Sequence, residues 1–308
     1  MSERFRYYLV VLFLLPGLLY LCPFAAVRLS SYGHWTGVLD FPNLDYAFKN
    51  SGQNADIIIY GDSSAKTGID PRQMSAALNA SVLNLPTSLS TLLVDNDFPL
   101  RVYLKTNRPP KLIVFYFAPW NFDYGNDDFH NKPLYNGMEM LMRHGTPGEI
   151  SPFVRAHPLA AFQFPLMFYS ANINPNALNR ETFYKQERQV VATGGHVDVD
   201  PYNVLHYAPT CVIPPELIDK IRSNWVNRMS EKFSTAQTRV MLFAAPVPAC
   251  TNAKAAIARA SARLPGPSPK EMPAPFFVDD NFYTHLYAAG VPQATRSLVE
   301  AVRPHLGR

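Results

Sequence analysis

Ser63, Asn121 and His285 have the residue types and settings for nucleophilic acyl chemistry. Ser63 lies in Gly61-Asp62-Ser63-Ser64, directly after the apolar run Ile57-Ile58-Ile59-Tyr60. A hydroxyl at a strand-to-helix turn is well placed for attack. The glycine permits a tight reversal, and the exposed N–H groups and positive dipole end of the next helix favour an oxyanion nearby. Gly-Asp-Ser is also ordinary turn and N-cap chemistry, so the tripeptide alone does not separate catalysis from architecture. Asn121 follows an apolar run in Ala118-Pro119-Trp120-Asn121-Phe122, and His285 stands before the last helix in Thr284-His285-Leu286-Tyr287-Ala288-Ala289-Gly290. Taken singly, an asparagine at a strand end is a turn residue and a histidine at a helix start is packing. Their joint order, two at the ends of buried strands and one before the last helix, shifts that weighing toward a shared site.

The elements that must position these residues alternate. Ala55 to Tyr60, Val82 to Leu85, Lys111 to Phe117 and Arg239 to Val247 read as short strands, the third being continuously apolar from Leu112 to Phe117. Between them, Asp70-Pro71 reads as an N-cap followed by proline at the first helical position, with Met74, Ala77 and Leu78 on one face. Helical spacing also runs from about Ser88 to Thr106, with Pro99 as a break. A single helix is expected over Pro215 to Ser234, on the stripe Leu217, Ile218, Ile221, Trp225 and Met229. Pro292 opens a last helix that Pro304 stops. Alternation of this kind predicts an α/β domain with a mostly parallel sheet covered on both faces.

From Asn121 to Asp200 the alternation is lost to an aromatic and polar segment, with helical hints at Met138 to Met142 and Leu159 to Met167. Insertions at the end of a central strand lie on the edge where parallel sheets place ligands, so residues at about 122–200 read as a cap over the substrate. Trp120, Tyr124 and Phe129 could stack on sugar rings, although burial explains them equally well. Asp123, Asp127, Asp128 and His130 could line the cleft, but without the spacing of a calcium loop they read first as loop solvation. His196-x-Asp198-x-Asp200 alternates like a strand face, which reads as a solvated edge strand before a cation site.

Composition bounds the setting. The chain of 308 residues can bury a substantial core, and its formal charge of +4 gives no case for nucleic acid. Tyr7 to Val27 carries no charge and, at about 1.5 Å per residue, is long enough to cross a bilayer core of about 30 Å. Arg4 and Arg6 precede it, which predicts a cytoplasmic N-terminus and, in a bacterium, a periplasmic domain on a single-pass inner-membrane anchor. A cleavable signal peptide is the competing reading, but the span is long and Phe24-Ala25-Ala26 offers no small-x-small site. Residues 29–54 read as a connector. With Cys22 in the span, Cys211 and Cys250 are the remaining pair in an oxidising compartment, and a disulfide between them is expected.

The motifs and their order resemble the SGNH, or GDSL-type, hydrolase superfamily over about Ala55 to Phe122 and Phe276 to Val302. The resemblance implies a flavodoxin-like α/β/α fold in which Ser63 is the nucleophile and His285 the general base. It also implies that Asn121 donates to the oxyanion beside the Ser63 backbone N–H. The His-Leu-x-x-x-Gly continuation is similar to a membrane-associated, acetyl-handling branch. That likeness implies an esterase or O-acetyltransferase acting on a cell-surface carbohydrate without metal or organic cofactor, with other membrane proteins of a polysaccharide-modification system as partners. Two positions depart from the pattern. The aspartate usual three residues before the histidine is Phe282, so Asp280 is expected to orient His285, with Asp279 second. The glycine of the second block is missing from Asn84-Leu85-Pro86-Thr87-Ser88, which leaves Ser88 as its replacement. These departures also motivate the alternative of a non-catalytic binding partner with the same fold.

Overall fold

Ile57–Gly61 (β1), Val82–Pro86 (β2), Leu112–Phe117 (β3) and Arg239–Ala244 (β4) are strands because their β-branched and aromatic residues suit a pleated surface buried on both faces. They form a four-stranded sheet in the order β2-β1-β3-β4, with every pair parallel. The computed structural model describes residues 3–29, 46, 49–86, 97–123, 135–173, 180–199, 205–280 and 282–306. Thr87, Ser88, Tyr124, Asp127, Asp128, Phe129, His130, Asp200 and most of the expected connector lie outside the described residues.

Alternate strand residues enter two separate apolar clusters. Ile57 and Ile59 pack with Ala65 of Ser63–Gly68 (α2) and Met74 and Leu78 of Pro71–Leu78 (α3). Ile58 and Tyr60 pack instead with Leu100 and Tyr103 of Phe98–Thr106 (α4). Asp70 caps α3 by accepting the Arg72 N–H at 2.9 Å, as the sequence predicts. The part of the expected helical stretch from about Ser88 to Asn96 lies outside the described residues, and Pro99 stands at the start of its described part. It lies in the first turn of α4, where a missing N–H costs nothing.

Between β3 and β4 lie Tyr135–His144 (α5), Pro147–Ala156 (α6), Pro158–Ile173 (α7) and Arg180–Thr193 (α8). α6 opens on a Thr146/Glu149 capping box, and Arg101 of α4 donates to Glu149 at 2.6 Å. Burial alone would raise the Glu149 pKa, but the Thr146 N–H and Arg101 outweigh it and hold the carboxyl down at about 2.

The single helix expected over Pro215 to Ser234 is two: Pro215–Asp219 (α9) and Asn224–Phe233 (α10). The break follows from packing. Leu217, Ile218 and Ile221 join the cluster of Ile57, whereas Trp225, Val226 and Phe233 join that of Ile58, and one straight helix cannot serve both. Asp123 accepts the Trp225 N–H at 3.1 Å and so caps α10 from outside. Ala253–Arg263 (α11) and Val291–Val302 (α12) complete the first cluster, beside the two-residue strands Val247–Pro248 (β5) and Glu271–Met272 (β6).

Glu3–Leu29 (α1) is the one helix among the described residues long and apolar enough to cross a membrane. Cys211 and Cys250 form a disulfide with Cα atoms 4.8 Å apart and a sequence separation of 39. Closing a loop of that length stabilises the fold by about 4 kcal/mol on a chain-entropy account. The variant Cys211→Ser/Cys250→Ser is therefore expected to melt well below the parent protein. Equal melting temperatures by calorimetry would show that the loop is held by other contacts.

Candidate functional site

The end of β1 approaches the neighbouring strand so closely that only glycine fits. A Cβ on Gly61 would lie 1.9 Å from the Tyr116 carbonyl oxygen of β3. The chain then enters α2, with Asp62 as N-cap and Ser63 as first residue. Ser63 and Asn121 thus stand at the carboxyl ends of adjacent parallel strands, β1 and β3. There the chain order reverses, and such sheets leave a crevice.

Asp62 is 1% exposed, and its carboxylate holds four donors. One oxygen accepts the Ser64 N–H at 2.9 Å and the Ser64 hydroxyl, and the other accepts the Ala118 N–H at 3.1 Å and Asn121 Nδ2 at 2.6 Å. Asn121 is therefore held toward Ser63 by the residue that precedes the serine. A buried carboxylate is stable only with such a set of donors.

His285 Nε2 lies 2.6 Å from Ser63 Oγ, and His285 Nδ1 is hydrogen-bonded to Asp280 Oδ2. Ser63, His285 and Asp280 thus form a continuous hydroxyl–imidazole–carboxylate chain. Asp279, the second candidate for orienting the histidine, instead donates its backbone N–H to Leu205 O at 2.7 Å and is exposed.

The loop reaches this geometry from five residues upstream through Tyr283, whose φ of 59° lies in the left-handed region. Tyr283 is fixed by stacking on Tyr207 at 4.6 Å and by an edge contact with Trp120. Phe282, at the departing position, lays its ring against His285 with centroids 4.9 Å apart. It packs on the imidazole, while Asp280 accepts the Phe282 N–H at 3.0 Å.

Sequence reasoning missed two positions. Thr67 Oγ1 donates to Ser63 O at 3.2 Å and accepts the Leu286 N–H at 3.3 Å, tying the serine helix to the histidine loop. Its i+4 spacing from Ser63 was the available signal. The other is Tyr116, wholly buried beneath α2. Burial, with the Asp62 charge as a second cause, pushes its phenol far above the usual range, and its hydroxyl has no hydrogen-bond partner among the described residues.

The remaining candidates among the described residues have structural partners. Trp120 is buried. His196 is 2% exposed and bonded to Asp198 at 3.0 Å in irregular backbone, which corrects the expected strand face. The backbone is held there by Thr193 Oγ1, which accepts the His196 N–H and donates to the His196 carbonyl. No group of three metal-ligating side chains occurs among the described residues.

In the second block, Asn84 donates to Ala65 O at 2.9 Å, and its N–H pairs with Gly194 O. Gly195, at φ 112°, sits so close that a Cβ would fall 2.0 Å from Asn84 O. No family model matches the chain, and neither the curated proteins nor the solved structures contain a significant match.

The Asp62 network and Tyr116 predict opposite responses. Asp62→Ala leaves buried donors unpaired and should cost roughly 3 kcal/mol, while Tyr116→Phe removes an unpaired hydroxyl and should be neutral or stabilise by about 1 kcal/mol. Chemical denaturation of both variants checks the pair. An unaltered midpoint for Asp62→Ala would contradict this account of the turn.

Proposed function

We propose that the protein is a serine esterase or O-acyltransferase of the SGNH type. The carrying observation is the contact of Ser63 Oγ with His285 Nε2 at 2.6 Å, backed by Asp280 on Nδ1. Ser63 Oγ attacks the acyl carbonyl carbon as His285 Nε2 takes its proton, and Asp280 stabilises the imidazolium that forms. The negative charge moves to the carbonyl oxygen. The Ser63 N–H, which as a first-turn group has no intrahelical acceptor, and the second Nδ2 hydrogen of Asn121 receive it.

As the tetrahedral intermediate collapses, the bond to the leaving alcohol breaks and that oxygen takes the proton from His285. Water, or a sugar hydroxyl, then repeats the sequence on the acyl-serine. Hydrolysis and transfer differ only in this acceptor.

The strand order 2-1-3-4, with apolar clusters on alternate strand residues, supports a flavodoxin-like three-layer fold. The apolar run of α1 from Tyr7 onward, with Arg4 and Arg6 in its first turn, supports an inner-membrane anchor with the domain in the periplasm. The Cys211–Cys250 disulfide fits that compartment. A polymer made at or exported through the same membrane is the substrate class that suits an anchored enzyme, with acetyl as the acyl group implied by the resemblance.

The test is rapid-mixing hydrolysis of a short-chain aryl ester by the full chain, followed by intact mass. A burst equal to the enzyme concentration and an acetyl-sized mass increment are expected. Ser63→Ala should abolish both, and Asp280→Asn should lower the rate roughly 10³-fold or more. A folded protein that gives neither burst nor adduct would sink the mechanism in favour of a non-catalytic binding partner.

A further inference from the structure

The helix α7 has an unusual surface. No Asp, Glu, Lys or Arg occurs between Arg155 and Arg180. One stripe, Ala160, Phe164 and Phe168, is buried, yet the opposite stripe also carries large apolar side chains: Leu159 is 69% exposed, Phe162 60%, Leu166 59% and Ile173 78%. A helix facing water on that side would present polar residues there.

The buried stripe faces α1. Phe24 packs on Phe164 with centroids 5.0 Å apart, and Val27 is buried in the same cluster as Phe164, Phe168 and Met138 of α5. The hydrogen bonds between the two helices are reciprocal. Pro23 has no N–H to give the Leu19 carbonyl four residues earlier, and Tyr169 Oη donates to that carbonyl at 2.6 Å. Pro165 leaves the Ala161 carbonyl free in the same way, and Tyr20 Oη donates to it at 3.0 Å. Each proline frees a carbonyl, and the tyrosine of the other helix satisfies it. In water this pairing would be optional, but in hydrocarbon it is required, because a freed carbonyl finds no other donor.

Ala161 and Tyr169, at opposite ends of the contact, both meet α1 at Leu19 and Tyr20, so α7 crosses α1 rather than running along it. The crossing lies about 5–12 Å inside the end of the apolar run at Val27, judged from Phe24 and Leu19 at 1.5 Å per residue. Above it, Arg28 Nη1 donates to the carbonyls of Met142, Arg143 and Gly145 at 3.1, 3.2 and 3.1 Å. The first charge beyond the span is thereby bound to the C-terminal end of α5.

We propose that α7 is a second membrane-embedded element. It lies in the plane of the leaflet at the C-terminal end of α1, with Leu159, Phe162, Leu166 and Ile173 against lipid acyl chains. The apolar surface of α1 continues without a charged boundary onto this stripe, and the depth matches that of in-plane helices. The proposal rests on α1 spanning the membrane. It anchors the segment between β3 and β4 independently of the peptide link from α1.

The full chain carrying Cys22→Ser tests it, with the disulfide intact and one new cysteine bearing an environment-sensitive fluorophore. Phe162→Cys and Leu166→Cys are read separately in phosphatidylcholine vesicles containing acyl-chain-brominated lipid, with iodide as the aqueous quencher. Leu12→Cys in α1 and Gln237→Cys on an exposed turn are the controls. Both α7 positions are exposed, so neither substitution removes a buried contact.

The expected result is brominated-lipid quenching at 162 and 166 within about twofold of Leu12→Cys, and iodide quenching at least about fivefold weaker than at Gln237→Cys. Iodide quenching equal to Gln237→Cys, without a lipid effect, would show a water-facing helix and overturn the proposal. Protection from both quenchers would show a protein cover, either a second copy or another membrane protein, and would overturn it equally. Absence of lipid quenching at Leu12→Cys would remove the anchor reading itself, and the proposal with it.

Discussion

The buried carboxylate of Asp62 is the constraint on which the site depends. A charge that is 1% exposed must be surrounded by donors, and those present come from three places: Ser64 on α2, Ala118 after β3, and the Asn121 amide. Satisfying one group therefore fixes the start of the serine helix, the exit of the neighbouring strand and the rotamer of the asparagine together. The bare backbone of Gly61 against Tyr116 brings these strand ends close enough for a single side chain to bridge them. One buried group thus sets both the tight turn and the position of the Asn121 amide.

The histidine is held by a second, separate set of contacts. Its backbone carbonyl accepts the Val278 N–H at 2.9 Å, and the N–H of the next residue reaches Thr67 on α2. The loop from Asp280 to His285 places the carboxylate five residues before the histidine. The left-handed turn at Tyr283 lies within it, and stacking on Tyr207 and Trp120 holds it in place. A non-glycine residue in that conformation costs of order 1 kcal/mol, which aromatic packing of this extent can offset.

The sequence revealed what local chemistry decides. Continuous apolar runs marked β1, β3 and β4, Asp70-Pro71 marked the start of α3, and Gly61 marked the turn at Ser63. Asp279 and Asp280 could not be told apart by any local signal, and it is Asp280 whose carboxylate contacts His285 Nδ1. What stayed hidden depends on tertiary partners. The break between α9 and α10 arises because the stripe from Leu217 to Met229 serves two clusters, and periodicity within one segment cannot show this. The capping role of Asp123 stayed hidden because its partner, the first turn of α10, is a hundred residues away. Thr67 was invisible for the same reason. Half of its role is a hydrogen bond to Leu286.

The segment between β3 and β4 is joined to the site at both of its ends. It leaves the sheet through Asn121, and on its return the Val197 N–H bonds to the Lys66 carbonyl of α2 at 3.0 Å. Gly194 and Gly195 lie against Asn84 at the edge of β2 just before that bond, and the Gly194 carbonyl accepts the Asn84 N–H of this edge strand. The helices between these two ends lean on α1 through Phe164 and Val27 and on α4 through the Arg101–Glu149 pair. A displacement of α5 to α8 relative to the sheet would therefore act first on the helix that carries Ser63 and on the amide beside it. The segment that packs on α1 through Phe164 is thus the same segment that carries Asn121 at one end and bonds to the helix of Ser63 at the other.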